Sequence, residues 1–127
     1  REPELYRCAI GYAGVYDLTK MDRSDIPWQP GGDNYIEEAV GVNESELRAQ
    51  SPVYNADKIN VPVLIAHGGK DRRAPPFHAR DMRKALRDND KDVEWLYERG
   101  EAHGFYNTEI NINFYNQILA FLNKHLN

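Results

Sequence analysis

The stretch Val61–Pro75, VPVLIAHGGKDRRAP, decides how this chain is read. Its first half is a short and nearly continuous apolar run, the pattern of a strand in a parallel sheet covered on both faces. Gly68 and Gly69 then make a tight turn. Asp71 follows two residues later and emerges just beyond the carboxyl end of the strand, where open α/β sheets gather their reactive groups. His67, at the strand end, is expected to shape that turn.

Working outward, RCAIGYAG (residues 7–14) and VEWLY (residues 93–97) read as two more buried strands. Helical patterns separate them. Asn43 followed by Glu46 marks a helix start for ESELRAQ. Ala79, Met82, Ala85 and Leu86 recur at three and four residues within 76–89, and Ile110, Phe114, Ile118, Phe121 and Leu122 do so near the end of the chain. Each of these stripes is core packing. Strand and helix in alternation give an α/β fold of about three parallel strands with flanking helices and right-handed crossovers. The segment from Asp17 to Gly41, with two prolines and adjacent glycines, interrupts this rhythm; such excursions serve as lids, binding loops or plain surface loops.

The bulk numbers agree with one domain. A chain of 127 residues that folds compactly buries roughly two thirds of its unfolded surface. Apolar residues make up 41%, and no run approaches the ~20 needed for a membrane-spanning helix. The net charge of −4 is spread over interspersed acids and bases, which excludes a field for holding nucleic acid or an anionic membrane surface. The single cysteine, Cys8, forms no internal disulfide and reads as a small core residue. No histidine–acid spacing such as H-E-x-x-H is present, so no metal or organic cofactor is expected. His78 and His125, inside helical patterns, are expected at the surface.

The third strand runs into ERGEAHGF, so His103 also emerges at a carboxyl end. An acid and an imidazole on one rim are two members of a nucleophile–base–orienter triad. The acid-then-histidine order is that of α/β-hydrolases, whose serine sits upstream on a G-x-S-x-G turn. That turn is absent here: Ser24, Ser45 and Ser51 are the only serines and none has the flanking glycines. A phospho-receiver would need an acidic pair at the end of its first strand, and RCAIGYAG ends without one.

SPVYNADKINVPVLIAHGGKDRRAPPFHARDMRKAL, residues 51–86, followed by GEAHGF, resembles the catalytic domain of the prolyl oligopeptidase family of serine peptidases, which includes dipeptidyl and acylaminoacyl peptidases. The family pattern is S-P near a helix end, a strand, H-G-x-x-D-x-x-V-P, a helix, then E-x-H-G-F before a final helix. REPELYRCAIGYAGVYDL resembles the segment about a dozen residues after the family's serine. The resemblance covers nearly the whole chain and implies that Asp71 is the triad acid and His103 the triad base. It also implies that Val15, Tyr16 and Trp28 border the substrate pocket, and that Ala74, where valine is usual, alters the pocket wall.

The resemblance makes residues 1–127 a partial α/β-hydrolase catalytic domain, the C-terminal half of the fold without its nucleophile elbow. The parent enzyme is expected to cleave peptide bonds of short peptides, and the segment alone to be inactive. An esterase on the same fold, or an interaction module that lost its nucleophile, are the alternatives. The bare sheet edge near Cys8 to Tyr12 is expected to drive self-association.

Overall fold

The computed structural model describes residues 4–21 and 43–127. The run around Leu64 forms the middle strand of a three-stranded parallel sheet. β1 (Ala9–Tyr12) pairs with β2 (Val63–Gly68), and β2 pairs with β3 (Val93–Glu98), in the order β1-β2-β3. The register sets Ala9 opposite Val63 and Val63 opposite Val93, and at the far end Gly68 stands opposite Glu98. All six residues of β2 are buried, which explains why its sequence is apolar without alternation.

Helices cover both faces. Alternate residues Val63 and Ile65 pack with Ala79, Met82 and Leu86 of α2 (Phe77–Asp88), and Val93 and Trp95 of β3 join them. Ala66 and Leu96 point the other way, against Phe105 and Phe114, the latter on α3 (Thr108–Leu126). The period of two along the strands thus meets the three-and-four spacing of the helices on each side. Asn107 caps α3 by accepting from the Ile110 amide at 3.1 Å. Asn43 caps α1 (Glu44–Gln50) by accepting from Ser45 at 2.9 Å.

β1 departs from the expected burial. Ala9, Ile10 and Tyr12 are exposed, because among the described residues β1 is an edge strand with a neighbour on one side only. The two helical histidines also differ from expectation. His78 is buried, 1% exposed, with its ring stacked on Phe77 at 4.3 Å. His125 is half-buried and meets Phe121 edge-on at 4.6 Å. Both rings follow the apolar stripe of their helix, since imidazole carries enough carbon surface to pack there.

The excursion leaves and rejoins the core at one place. Buried Ser51 accepts from the Leu18 amide at 2.8 Å and donates to the Leu47 carbonyl at 2.7 Å. Buried Asp17 accepts from Thr19 N and from the Tyr54 hydroxyl, at 3.0 and 3.2 Å. Trp28 and most of the excursion lie outside the described residues. Among the described residues no helix is long and apolar enough to cross a membrane.

Candidate active site

β2 and β3 end side by side, and the loops that follow them carry the two reactive side chains. Asp71 is held first by its own loop: Oδ1 accepts from the amides of Arg73 and Ala74, both at 2.9 Å. This leaves Oδ2 for the His103 ring, whose Nδ1 lies 2.9 Å away. A carboxylate in that position accepts from Nδ1–H, so the lone pair sits on Nε2. The Asp71 side chain is 0% exposed and that of His103 is 40% exposed, so the buried acid presents a ring whose outer nitrogen faces open space.

The His103 loop is fixed by contacts that reach across the molecule. The Phe105 amide donates to the Tyr12 hydroxyl at 2.7 Å, which ties the loop to β1. The carboxylate of buried Glu101 accepts from the amides of Tyr106 and Asn107. Asn111, on α3, donates to the Phe105 carbonyl at 2.6 Å. Tyr12, Glu101 and Asn111 therefore position the histidine without touching it. Sequence reading missed them; the only signal was the glutamate two residues before the histidine.

His67 spans the turn as expected. Its Nε2 is 2.7 Å from the Ala74 carbonyl and 3.5 Å from Asp71 Oδ2. A carbonyl only accepts, so Nε2 carries the proton and donates it to Ala74, with the acid's Oδ2 lying farther off. Ala74 is buried and closes the Asp71 loop through both its backbone groups. Val15 and Tyr16 follow β1 and are half-buried; Tyr16 packs against the α2 side of the core, and its hydroxyl has no hydrogen-bond partner among the described residues. Burial pushes that phenol up to about 12. Among the described residues no group of three or more histidines, cysteines and acids is placed to hold a metal ion.

The sequence profile described as "Prolyl oligopeptidase family" matches residues 1–127. The chain belongs to this family. Among curated proteins it is 23% identical over 128 residues to dipeptidyl peptidase family member 6 of Caenorhabditis elegans, covering 96% of this chain and 17% of that protein. It is 24% identical over 117 residues to dipeptidyl aminopeptidase BIII of Pseudoxanthomonas mexicana, covering 88% of this chain and again 17% of the relative. Among solved structures, the puromycin-hydrolyzing peptidase of Mycobacterium tuberculosis superposes with a TM-score of 0.82 at 26% identity, over 95% of this chain and 18% of that one. The acylaminoacyl peptidase of Pyrococcus horikoshii gives 0.79 at 22%, over 97% and 21%. The fold is that of α/β-hydrolase peptidases, with three parallel strands and flanking helices. The chain spans about 17% of the length of the curated relatives it matches.

Proposed function

We propose that residues 1–127 belong to the catalytic domain of a serine peptidase that cleaves short peptides through an acyl-enzyme, and that they supply its general base and orienting acid. The observation that carries this reading is the 2.9 Å hydrogen bond from His103 Nδ1 to the buried carboxylate of Asp71. With Nδ1–H held by the acid, Nε2 takes the proton of a serine hydroxyl as its oxygen attacks the peptide carbonyl carbon. The imidazolium, stabilised by Asp71, gives that proton to the departing amine, and a water activated by the same nitrogen then hydrolyses the ester.

The nucleophile and the oxyanion donors are assigned to sequence outside these residues. Ser24, Ser45 and Ser51 lack the elbow glycines, and Ser51 is buried with its hydroxyl engaged at both ends. The small share of the relatives' length covered by the chain supports the same assignment. On this reading the 127 residues alone are inactive. The names of the relatives favour short substrates with a free or acylated amino end, and Val15 and Tyr16 are the proposed walls of the pocket on the acyl side; Ala74, expected there, is instead buried inside the Asp71 loop.

When the segment stands alone, we assign its open β1 edge to pairing with a second copy. Ala9 and Ala13 donate to Pro62 and Ala66 of the β2 side, so the alternate amides of Ile10 and Tyr12 face the open edge.

The function is tested on the intact enzyme carrying these residues, with alanyl-alanine and acetyl-alanine p-nitroanilides as substrates and a fluorophosphonate label. Release of nitroaniline, covalent labelling, and loss of ~10⁴- to 10⁶-fold in kcat for His103→Ala are expected. Hydrolysis of p-nitrophenyl esters with neither anilide cleaved would make it an esterase. Full activity in His103→Ala would defeat the reading.

A further inference from the structure

His103 does not open onto neutral surface. Together with Lys70, Arg72, Arg73, Ala102 and Tyr106 it lines a shallow hollow of about 370 Å³. Three of those six side chains are full cations, in a chain whose net charge is −4. Among the described residues the two acids of this rim do not neutralise them. Asp71 is buried and engaged by His103 and two amides, and Glu101 is buried with its carboxylate on the Tyr106 and Asn107 amides. Among the described residues the ion pairs of lysine and arginine are made by Lys20, Arg48, Lys84 and Lys124; Lys70, Arg72 and Arg73 make none.

The other basic hollow, of about 330 Å³ along α2, is different in kind. There Lys84 is paired with Asp88, Arg83 lies over the Trp95 ring at 4.9 Å, and Arg80 reaches the Tyr97 hydroxyl. Local contacts engage three of its four cations, Arg87 being the exception. Among the described residues no such contact reaches the side chains of Lys70, Arg72 or Arg73.

We propose that this hollow selects peptides that carry a carboxylate beside the bond presented to His103. The inference rests on the peptidase reading above and names the substrate class of that same site. Lys70 and Arg72 flank the buried acid in sequence and Arg73 follows, so three exposed cations share one hollow with the His103 ring while the acid's own charge is engaged by the imidazole. Tyr106, 80% exposed on the same rim, offers an aromatic surface for the aliphatic stem of an acidic residue. An exposed ion pair contributes a factor of about two to five, so three partly shared contacts give a preference of about tenfold, weakened by salt. The carboxylate could be an acidic side chain or the end of the peptide, and the same test separates the two.

Binding is read first, on the intact protein carrying these residues, labelled with nitrogen-15 and with His103→Ala to prevent hydrolysis. The probes are acetyl-Ala-Glu-Ala-amide, acetyl-Ala-Gln-Ala-amide, and acetyl-Ala-Ala-Ala as the free acid and as the amide. The glutamyl peptide or the free acid should shift the amides of residues 70–74 and 103 with a Kd about tenfold below its neutral match at 20 mM salt. The gap should close at 0.5 M salt and in Lys70→Gln/Arg72→Gln/Arg73→Gln, which leaves the backbone donors to Asp71 in place. Whichever acidic probe shows the gap identifies the source of the carboxylate. Equal binding of both acidic probes and their neutral matches, or a gap that survives the triple substitution, overturns the proposal. The same ratio is then measured as kcat/KM on the intact enzyme. An enzyme that cleaves neither probe class while the binding gap persists refutes the peptidase reading and leaves the carboxylate site standing. Cleavage of both at equal rates, with equal binding, does the reverse.

Discussion

Gly68 and Ala102 approach so closely that a Cβ on Gly68 would lie 2.2 Å from the Ala102 carbonyl oxygen, with the Glu101 carbonyl at 2.5 Å. Both obstacles are backbone, so the last residue of β2 must be glycine for the His103 loop to fold over the strand end. Gly68→Ala should push that loop outward, at a cost of ~2–3 kcal/mol in stability. In the intact enzyme kcat should fall ~100-fold, since a 1 Å misplacement of a reacting group has that effect. Chemical denaturation and steady-state kinetics check the two halves, and unchanged kinetics would remove the role given to this contact.

Asp71→Asn keeps the loop's shape, because the amide oxygen still accepts from Arg73 and Ala74. Its amide nitrogen, turned to His103, donates where the carboxylate accepted and so favours the wrong tautomer. A loss of ~10⁴-fold in kcat is expected with KM little changed. Nitrogen-15 shifts of the His103 ring should show the proton moving from Nδ1 to Nε2. A ring that keeps its tautomer would sink this account of Asp71.

Tyr16 should make stability fall at alkaline pH. Its phenol is raised to about 12 from the ordinary 10.0 by burial, so between those values the unfolded chain sheds a proton that the folded chain keeps. The folded state then binds more protons, and stability falls as pH rises through that window, by an amount on the order of 2–3 kcal/mol. Tyr16→Phe should flatten this decline. At pH 7 it should cost little, because the hydroxyl it removes has no hydrogen-bond partner among the described residues. Urea titrations at pH 8 and 11 on both proteins provide the comparison; parallel declines would refute it.

The isolated segment should elute as a dimer at micromolar concentration in size-exclusion chromatography with light scattering. Ile10→Lys, a charge on the open edge of β1, should return it to a monomer without disturbing β2 or β3. A stable monomer in the unsubstituted chain would defeat edge pairing.

The strands and helices were legible because each is marked by an unbroken apolar run or a three-and-four stripe. That Asp71 and His103 share a rim was also readable, since each follows a strand end. What fixes their contact was not. Tyr12 reaches the Phe105 amide from 93 positions away, and no local spacing announces a hydroxyl that accepts from a distant loop. His78 and His125 were misread as surface residues because polarity was weighed above the carbon surface of the ring. The exposure of β1 was hidden for a related reason: its sequence is as apolar as that of β2, and only the topology shows that it has a single neighbour among the described residues.

Ser51 and Asp17 act as a clasp where the chain leaves the core and returns to it. With Leu18 and Ser51 tied, the closure of whatever chain joins them is already set, and doubling the length of such a connection costs only about 0.6 kcal/mol in closure entropy. The catalytic pair rests on β2 and β3 and does not feel that change. The clasp therefore holds the chain at Leu18 and Ser51 apart from the strands that carry the proton-moving pair. For an engineer it marks the seam at which a foreign segment can be spliced into this scaffold.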